Sequence, residues 1–451
     1  MKSYTILTDE AADNIHPNVN RMLWFCGVFG IAAAIAQMGV FDTYLYLKSN
    51  DSNSAVGLAE SASGITQVLM VLPAGYIADK FSRSRTLRFC VILSLIYVFI
   101  SITGIYRDDI VLIYISLILG GVYMAIQNSV SFALFSDSIP QGQRASWMSK
   151  VAVVTQIAMG VGPLLGYFLF KYFGDVWDMS VLHTILIIGF LLMVPANMFL
   201  VNWTDIPKGM FSPPVVPSPD IDSPLLSDTR VSSSKVVSTS LVPYIVCMND
   251  VITCIGAGMT VKFFPLFFKN DYGFDPTHLQ LLFTVYCFAF ALFTWACEKV
   301  AAKIGRVQSS MLFSLCGVLC LFSLAYLESL PLVVFVFILR GAFQNAIYPI
   351  DRSIIMDFVP SDQRGRWNSI ESISAMTWSG SAVIGGYLMD SHDYRYTFVI
   401  TGWIYLVACC LRTPLLFLVP KQEKFTNIPK VISQAHEQMM ASPLAPSPKA
   451  Y

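Results

Sequence analysis

The sequence predicts an all-α polytopic membrane protein: twelve transmembrane helices in two pseudo-symmetric six-helix halves. Three observations carry this. The composition is 55% hydrophobic and 13% charged, against about 25% charged in an ordinary soluble domain, so the chain has too few charges to coat a water-facing surface. Apolar stretches long enough to cross a bilayer recur along it. A polar phrase is also written twice. Asp137, Pro140, Arg144 and Trp147 in SDSIPQGQRASW return as Asp357, Pro360, Arg364 and Trp367 in MDFVPSDQRGRW, each 220 residues later. Four matches at one offset mark an internal repeat, and a repeat fixes the architecture before any single helix does.

A spanning helix needs about 20 mostly apolar residues. The candidate spans are Met22–Leu47, Ala55–Ala78, Phe89–Tyr106, Ile110–Phe135, Trp147–Phe173 and Val181–Val201 in the first half. In the second they are Leu241–Phe268, Leu279–Trp295, Met311–Leu327, Leu332–Tyr348, Trp367–Met389 and Tyr396–Val419. Spans four and ten are expected to continue to Asp137 and Asp357. Residues 1–20 are polar, so no cleavable signal peptide is expected and the first span acts as its own insertion signal.

Loop charge sets the orientation. Lys80, Arg83, Arg85 and Arg88 follow span two, and Arg144 and Lys150 follow span four. Lys299, Lys303 and Arg306 follow span eight, Arg364 and Arg366 span ten, and Lys421, Lys424 and Lys430 span twelve. The other connections are acidic or mixed. Lys and Arg mark the cytoplasmic side, so both termini (1–20 and 421–451) and the even-numbered connections are expected there. Residues 205–240, rich in Ser and Pro, read as a disordered cytoplasmic linker between halves spanning 21–204 and 241–420. Plasma and vacuolar or lysosomal membranes are both open.

The repeat continues outward from the opening phrase. Gly121 matches Gly341, GPLLGY at 162–167 matches AVIGGY at 382–387, and Asp42 in span one matches Lys262 in span seven. An even number of spans separates the copies, so the halves are parallel repeats. Secondary transporters built this way bind their solute at mid-membrane, between the halves.

The loop after span two reads Gly75-Tyr-Ile-Ala78-Asp79-Lys80-Phe81-Ser82-Arg83-Ser84-Arg85. It resembles the signature loop of the major facilitator superfamily, with Ser82 where the family usually has Gly, and the resemblance covers nearly the whole chain. It implies a cytoplasmic gate of Gly75, Asp79, Arg83, Asp137, Arg144, Asp357 and Arg364. There Asp79 would accept hydrogen bonds from the N-terminus of span eleven, and Arg83 would fork onto Asp137. The equivalent loop of the second half, Glu298 to Arg306, has Ala302 in place of the acid, so its latch is expected to be weaker. Gly160, Gly162, Pro163 and Gly166 in span five resemble the Gly-Pro signature of the family's proton-driven exporters, the drug:proton antiporter-like group. Close helix packing explains the same residues.

In this superfamily spans one, four, seven and ten line the cavity. The resemblance therefore makes Gln37, Asp42, Gln127, Asn128, Asn249, Asp250, Lys262, Arg340, Gln344, Asn345 and Tyr348 the candidate residues for substrate binding or proton coupling. Ionisable groups inside a membrane are functional candidates on physical grounds too, because an unpaired charge there costs several kcal/mol. LRGAFQN around Arg340 resembles the family's Arg-Gly-x-x-Gln stretch, moved here from span four, where Gly120 stands instead. Asp250 and Arg340 are expected near mid-depth, as a static pair or one that exchanges partners. Asp42 and Lys262 are expected near the outer rim, as a gate that closes when they meet; alternatively Lys262 simply snorkels to the headgroups. Glu60 reads as a solvated rim residue, and Phe263, Phe264, Phe267 and Phe268 as lipid-facing or packing residues.

The expected function is secondary active transport of a small organic solute by alternating access, coupled to protons. A facilitative uniporter, or a transporter-like receptor that binds without moving its solute, would read much the same. Zero net charge gives no reason to expect nucleic acid. The ten cysteines lack metal-like spacing, and the five histidines are isolated. No enzyme activity, metal or cofactor is expected, and the partners are a solute, protons and lipid around a monomer.

Overall fold

A computed structural model describes residues 16–140, 143–206, 241–358 and 364–419. Most of the linker, 207–240, and both outer tails lie outside the described residues. Among the described residues, ten helical segments are long and apolar enough to cross a membrane. Two further helices, Asn53–Lys80 and Arg364–Ser391, have spanning length at 28 residues each. These are spans two and eleven, and they pack along each other between the halves. Where they pack on each other, they tolerate the polar residues that lower their hydropathy.

Helix starts follow local chemistry. Ser52 caps span two, accepting from the Ala55 N–H at 3.3 Å, and Asp109 caps span four, accepting from the Val111 N–H at 2.9 Å. Asp178 and Asp393 do the same for spans six and twelve. Proline occupies the first turn of the helices Pro17–Gln37, Val242–Thr260, Pro276–Ile304 and Leu330–Ala346, where its missing N–H has no partner to lose.

The repeat is visible in the packing. Span one packs on five and six, two on four, and three on four and six. Their equivalents pair likewise: seven on eleven and twelve, eight on ten, nine on ten and twelve. The halves meet through spans two and eleven and through five and eight. Gly57 and Gly64 permit the first contact: a Cβ on Gly57 would sit 2.4 Å from the Ala382 carbonyl oxygen, and one on Gly64 would sit 1.9 Å from Ser379 Oγ.

Spans one and seven are not continuous helices. Span one breaks between Pro17–Gln37 and Val40–Lys48, where Gly39 takes φ +84°, a left-handed conformation that glycine adopts without steric cost. Span seven breaks at a 3-10 turn, Val261–Phe263, ahead of Pro265. Asp42 follows the first break and Lys262 lies within the second. Phe263, Phe264, Phe267 and Phe268 are all buried within 1% of full enclosure; they are core residues, not lipid-facing ones.

Candidate functional site

The connections that carry Lys and Arg define one face of the bundle, here called the basic face; the other is the opposite face. A cavity of about 550 Å³ lies in the second half. It reaches from Arg340 and Tyr286 at mid-depth toward Asp351 and Arg412 near the basic face. Of the candidate residues it gathers Asn249, Asp250, Arg340, Gln344, Asn345 and Tyr348, from spans seven and ten. Spans eight, eleven and twelve add Tyr286, Phe290, Ser374, Trp378, Tyr405 and Arg412.

Span ten brings its polar residues to one side by helical spacing. Arg340 is 2% exposed, donates to Tyr405 Oη at 3.3 Å, and stacks 4.9 Å over the Phe264 ring. Its Nε has no partner, and no carboxylate lies within 4 Å of its guanidinium among the described residues. Asn345 Nδ2 donates to Tyr286 Oη at 3.0 Å and to the Gly341 carbonyl at 2.9 Å. Asn249 Nδ2, Gln344 Oε1 and Ser374 Oγ are buried without partners. Asp250 is half-buried and makes no ion pair with Arg340. The buried pair is a different one. Arg412 clasps Asp351 through two nitrogens, at 2.5 and 3.1 Å, and also donates to Ser310, whose hydroxyl donates to Asp351 at 2.9 Å. Both ions lie inside the expected spans ten and twelve, and that position was the available signal.

On the opposite face hydrogen bonds join the halves. Asp390, at the end of span eleven, accepts from the Asn53 and Ser54 N–H groups at 2.8 Å each and from Ser54 Oγ at 2.6 Å. Asp175, after span five, accepts from the Thr277 N–H at 2.9 Å and from its hydroxyl at 2.6 Å. Each carboxylate thus caps the first turn of a helix in the other half, where the helix dipole favours negative charge. Trp177 Nε1 donates to the Phe274 carbonyl at 2.7 Å, and Tyr394 Oη to Asn53 Oδ1 at 3.0 Å. The sequence reading missed this set; Asp390 and Asp175, which follow the interfacial spans eleven and five, were its trace.

Beneath these contacts Lys262 pairs with Glu60 at 3.1 Å. Glu60 is therefore not a solvated rim residue: its side chain is 16% exposed. Asp42 is 3% exposed, makes no ion pair among the described residues, and lies within electrostatic reach of Lys262 and Glu60. Lys262 also sits 5.2 Å over the Trp378 ring. His183 is not isolated, since its Nε2 is 3.0 Å from Asp108 Oδ1, to which Tyr44 Oη also bonds at 3.2 Å. Gln127 donates to Ser131 within span four at 2.9 Å, while Gln37 and Asn128 are exposed. None of Gln37, Asp42, Gln127, Asn128 and Lys262 lines the cavity.

On the basic face Arg83 pairs with Asp137. The side chains of Asp79, Arg144, Asp357 and Arg364 lie outside the described residues, and a Cβ on Gly75 would meet nothing within 4 Å. Asp205, expected as the first linker residue, accepts from the Ser84 N–H at 2.9 Å, from Ser84 Oγ at 2.7 Å and from Ser82 Oγ. Burial alone would raise its pKa, but these hydrogen bonds outweigh that and hold it below the ordinary carboxylate value. In span five, a Cβ on Gly162 would sit 2.3 Å from Ala34 Cβ, and one on Gly166 would sit 2.8 Å from Gln280 Oε1. Gly160 faces Cys287, and Pro163 is accommodated inside the helix Arg144–Phe173.

The sequence model of the Major Facilitator Superfamily matches residues 23–249 and 246–436. An uncharacterized transporter of Buchnera aphidicola subsp. Schizaphis graminum is 26% identical over 215 residues, 45% of this chain and 50% of that relative. The chain thus spans about half the length of the curated relative it matches. Among solved structures, the nucleoside transporter NupG superposes with a TM-score of 0.63 at 14% identity, covering 89% of this chain and 100% of that one. A D-xylose–proton symporter gives 0.65 at 15% identity, covering 88% and 96%. At these identities the likeness is one of fold.

Proposed function

The chain belongs to the major facilitator superfamily, and on that premise we propose that this multi-pass membrane protein is a secondary transporter. It moves a small organic solute by alternating access, coupled to protons, with the basic face in the cytoplasm. One observation carries this reading: a polar cavity reaches from mid-depth to the basic face with four buried polar atoms unpartnered around it. Hydrogen bonds join the halves between mid-depth and the opposite face. A rigid scaffold would have no reason to leave four polar atoms unpartnered around one cavity, since each costs about 1–3 kcal/mol. A carrier that accepts a solute there does.

In this reading Asn249, Asp250, Arg340, Gln344, Asn345 and Tyr348 contact solute or proton. Asp250 is the coupling carboxylate, because it lines the cavity and makes no ion pair among the described residues. Asp42, Glu60 and Lys262 belong to the gate of the opposite face. Two carboxylates and one ammonium leave that cluster with one excess negative charge when all are ionised, which a single proton cancels. Arg83 and Asp137, with Asp79, Arg144, Asp357 and Arg364, form the cytoplasmic gate, and Gly160, Gly162, Pro163 and Gly166 provide the packing seam. The D-xylose–proton symporter provides a precedent for proton coupling on this fold.

The test is uptake of a solute panel by vesicles reconstituted with the purified chain, with and without an imposed pH gradient. Saturable uptake of an organic solute, accelerated by the gradient, is expected. Saturable uptake indifferent to the gradient would leave a uniporter. Binding without uptake of any solute would replace transport with reception.

A further inference from the structure

We infer that the solute is a small organic monoanion, a carboxylate with an aromatic or apolar body, whose charged end docks on Arg340. The inference rests on the cavity being the solute site and goes beyond it by naming the chemistry that fits. A guanidinium has five N–H donors and is always charged. Arg340 is 2% exposed, yet among the described residues its one hydrogen bond is the 3.3 Å contact to Tyr405. Its Nε is unpartnered and the residue lines the cavity. The Phe264 ring lies 4.9 Å below the guanidinium carbon. It covers one face of the fork and leaves the edge nitrogens for a ligand.

The second cation of the cavity supports this by contrast. Arg412 is similarly enclosed, at 5% exposure, and is fully matched by Asp351 and Ser310. The fold therefore can neutralise a buried arginine with its own carboxylate. At Arg340 it does not, and Asp250 lines the same cavity without pairing with it. A buried charge left without a counter-ion is costly, and a carboxylate ligand removes that cost with two parallel N–H···O bonds. Asn249 Nδ2, a buried donor without a partner, lines the same cavity. One unmatched arginine, with Asp250 in the same cavity, selects a single negative charge over a phosphate dianion. For the rest of the molecule, Tyr286, Phe290 and Trp378 supply aromatic walls. The volume, about 550 Å³, is in the range of small-molecule sites.

The experiment uses the purified full chain and ligands matched in body but not in charge: phenylacetate, phenylacetamide and phenethylamine, and indole-3-acetate, indole-3-acetamide and tryptamine. Thermal unfolding is followed against ligand concentration. Carboxylates alone should stabilise the wild type. Arg340→Lys, which keeps the charge but loses the fork, should weaken them about tenfold, and Arg340→Gln should abolish the effect. Should Arg340→Gln fail to fold, Arg340→Lys still decides. Stabilisation by the amides or amines, carboxylate affinity unchanged in both variants, or no stabilisation by either carboxylate overturns the assignment. Vesicle uptake of the same compounds separates this from the transport reading. Carboxylate binding without uptake sinks transport and keeps the site. Uptake of an amine that ignores Arg340→Gln sinks the site and keeps transport.

Discussion

Removing the Asp390 carboxylate should open the opposite face. Asp390 is exposed, so its charge acts through water and its value must be discounted. What it retains is the local cap: two backbone N–H groups at 2.8 Å, a hydroxyl at 2.6 Å and the Asn53 amide at 3.0 Å. Substituting an N-cap acid by Ala costs about 1 kcal/mol. These bonds exist only while the halves touch, so that cost falls on the closed state and not on the fold of either half. A loss of about 1 kcal/mol multiplies the open fraction about fivefold. Asp175 makes the equivalent contact at Thr277, on a different pair of helices. The two should therefore add, giving about thirtyfold for the double variant. The assay is the labelling rate of Ser61→Cys by an impermeant maleimide applied from the opposite face, with the ten native cysteines replaced. Ser61 is 4% exposed and donates to the Ser379 carbonyl at 2.6 Å, between spans two and eleven beneath Asp390. Asp390→Asn keeps an acceptor but not the charge and should fall between parent and Ala. If Asp390→Ala and the double variant fold but label within twofold of the parent, the caps do not hold this face shut.

Three further outcomes are expected. Asp250→Asn should keep saturable uptake but lose its dependence on an imposed pH gradient; a persisting gradient response in vesicles would remove Asp250 from coupling. The Asp205 contact should depend on pH in one direction. Its pKa is held low by Ser82 and Ser84, so its stabilisation is present above the ordinary carboxylate value of about 3.9 and is lost as pH falls through the lower folded value. Thermal melts of wild type and Asp205→Asn should thus differ at neutral pH and converge in acid. Glu60→Gln should slow transport more than Lys48→Gln, because it strips Lys262 of its partner at 3.1 Å while Lys48 is a surface contact to Asp108 at 3.6 Å; equal rates in an uptake assay would make the Glu60 pair mere packing.

The spans and their pairing were legible because they depend on sums over many residues. A run of twenty apolar side chains survives any single exception, and a 220-residue repeat carries the packing of one half into the other. Contacts between individual charges depend instead on height and helix face, which the repeat does not supply. Asp42 and Lys262 occupy equivalent positions, but equivalence relates two environments without bringing the residues into contact. Lys262 meets Glu60 because span two, not span one, presents its acid at that point. The rim location that made Glu60 look solvated also misled, since that face is closed by Asp390 and Asp175. For Asp250 and Arg340 the expectation of a shared mid-depth was too coarse. Asp250 lies about 12 Å from the basic-face end of span seven, and Arg340 about 15 Å from the opposite-face end of span ten, at about 1.5 Å per residue. Span ten, taken as Leu330–Ile355, is about 39 Å long on the same rise, which leaves about 12 Å of height between the two charges. A side-chain pair does not bridge that gap, and a solute lying along the cavity does. The same height difference that denies Arg340 a carboxylate of its own leaves the guanidinium free for one that arrives with the solute.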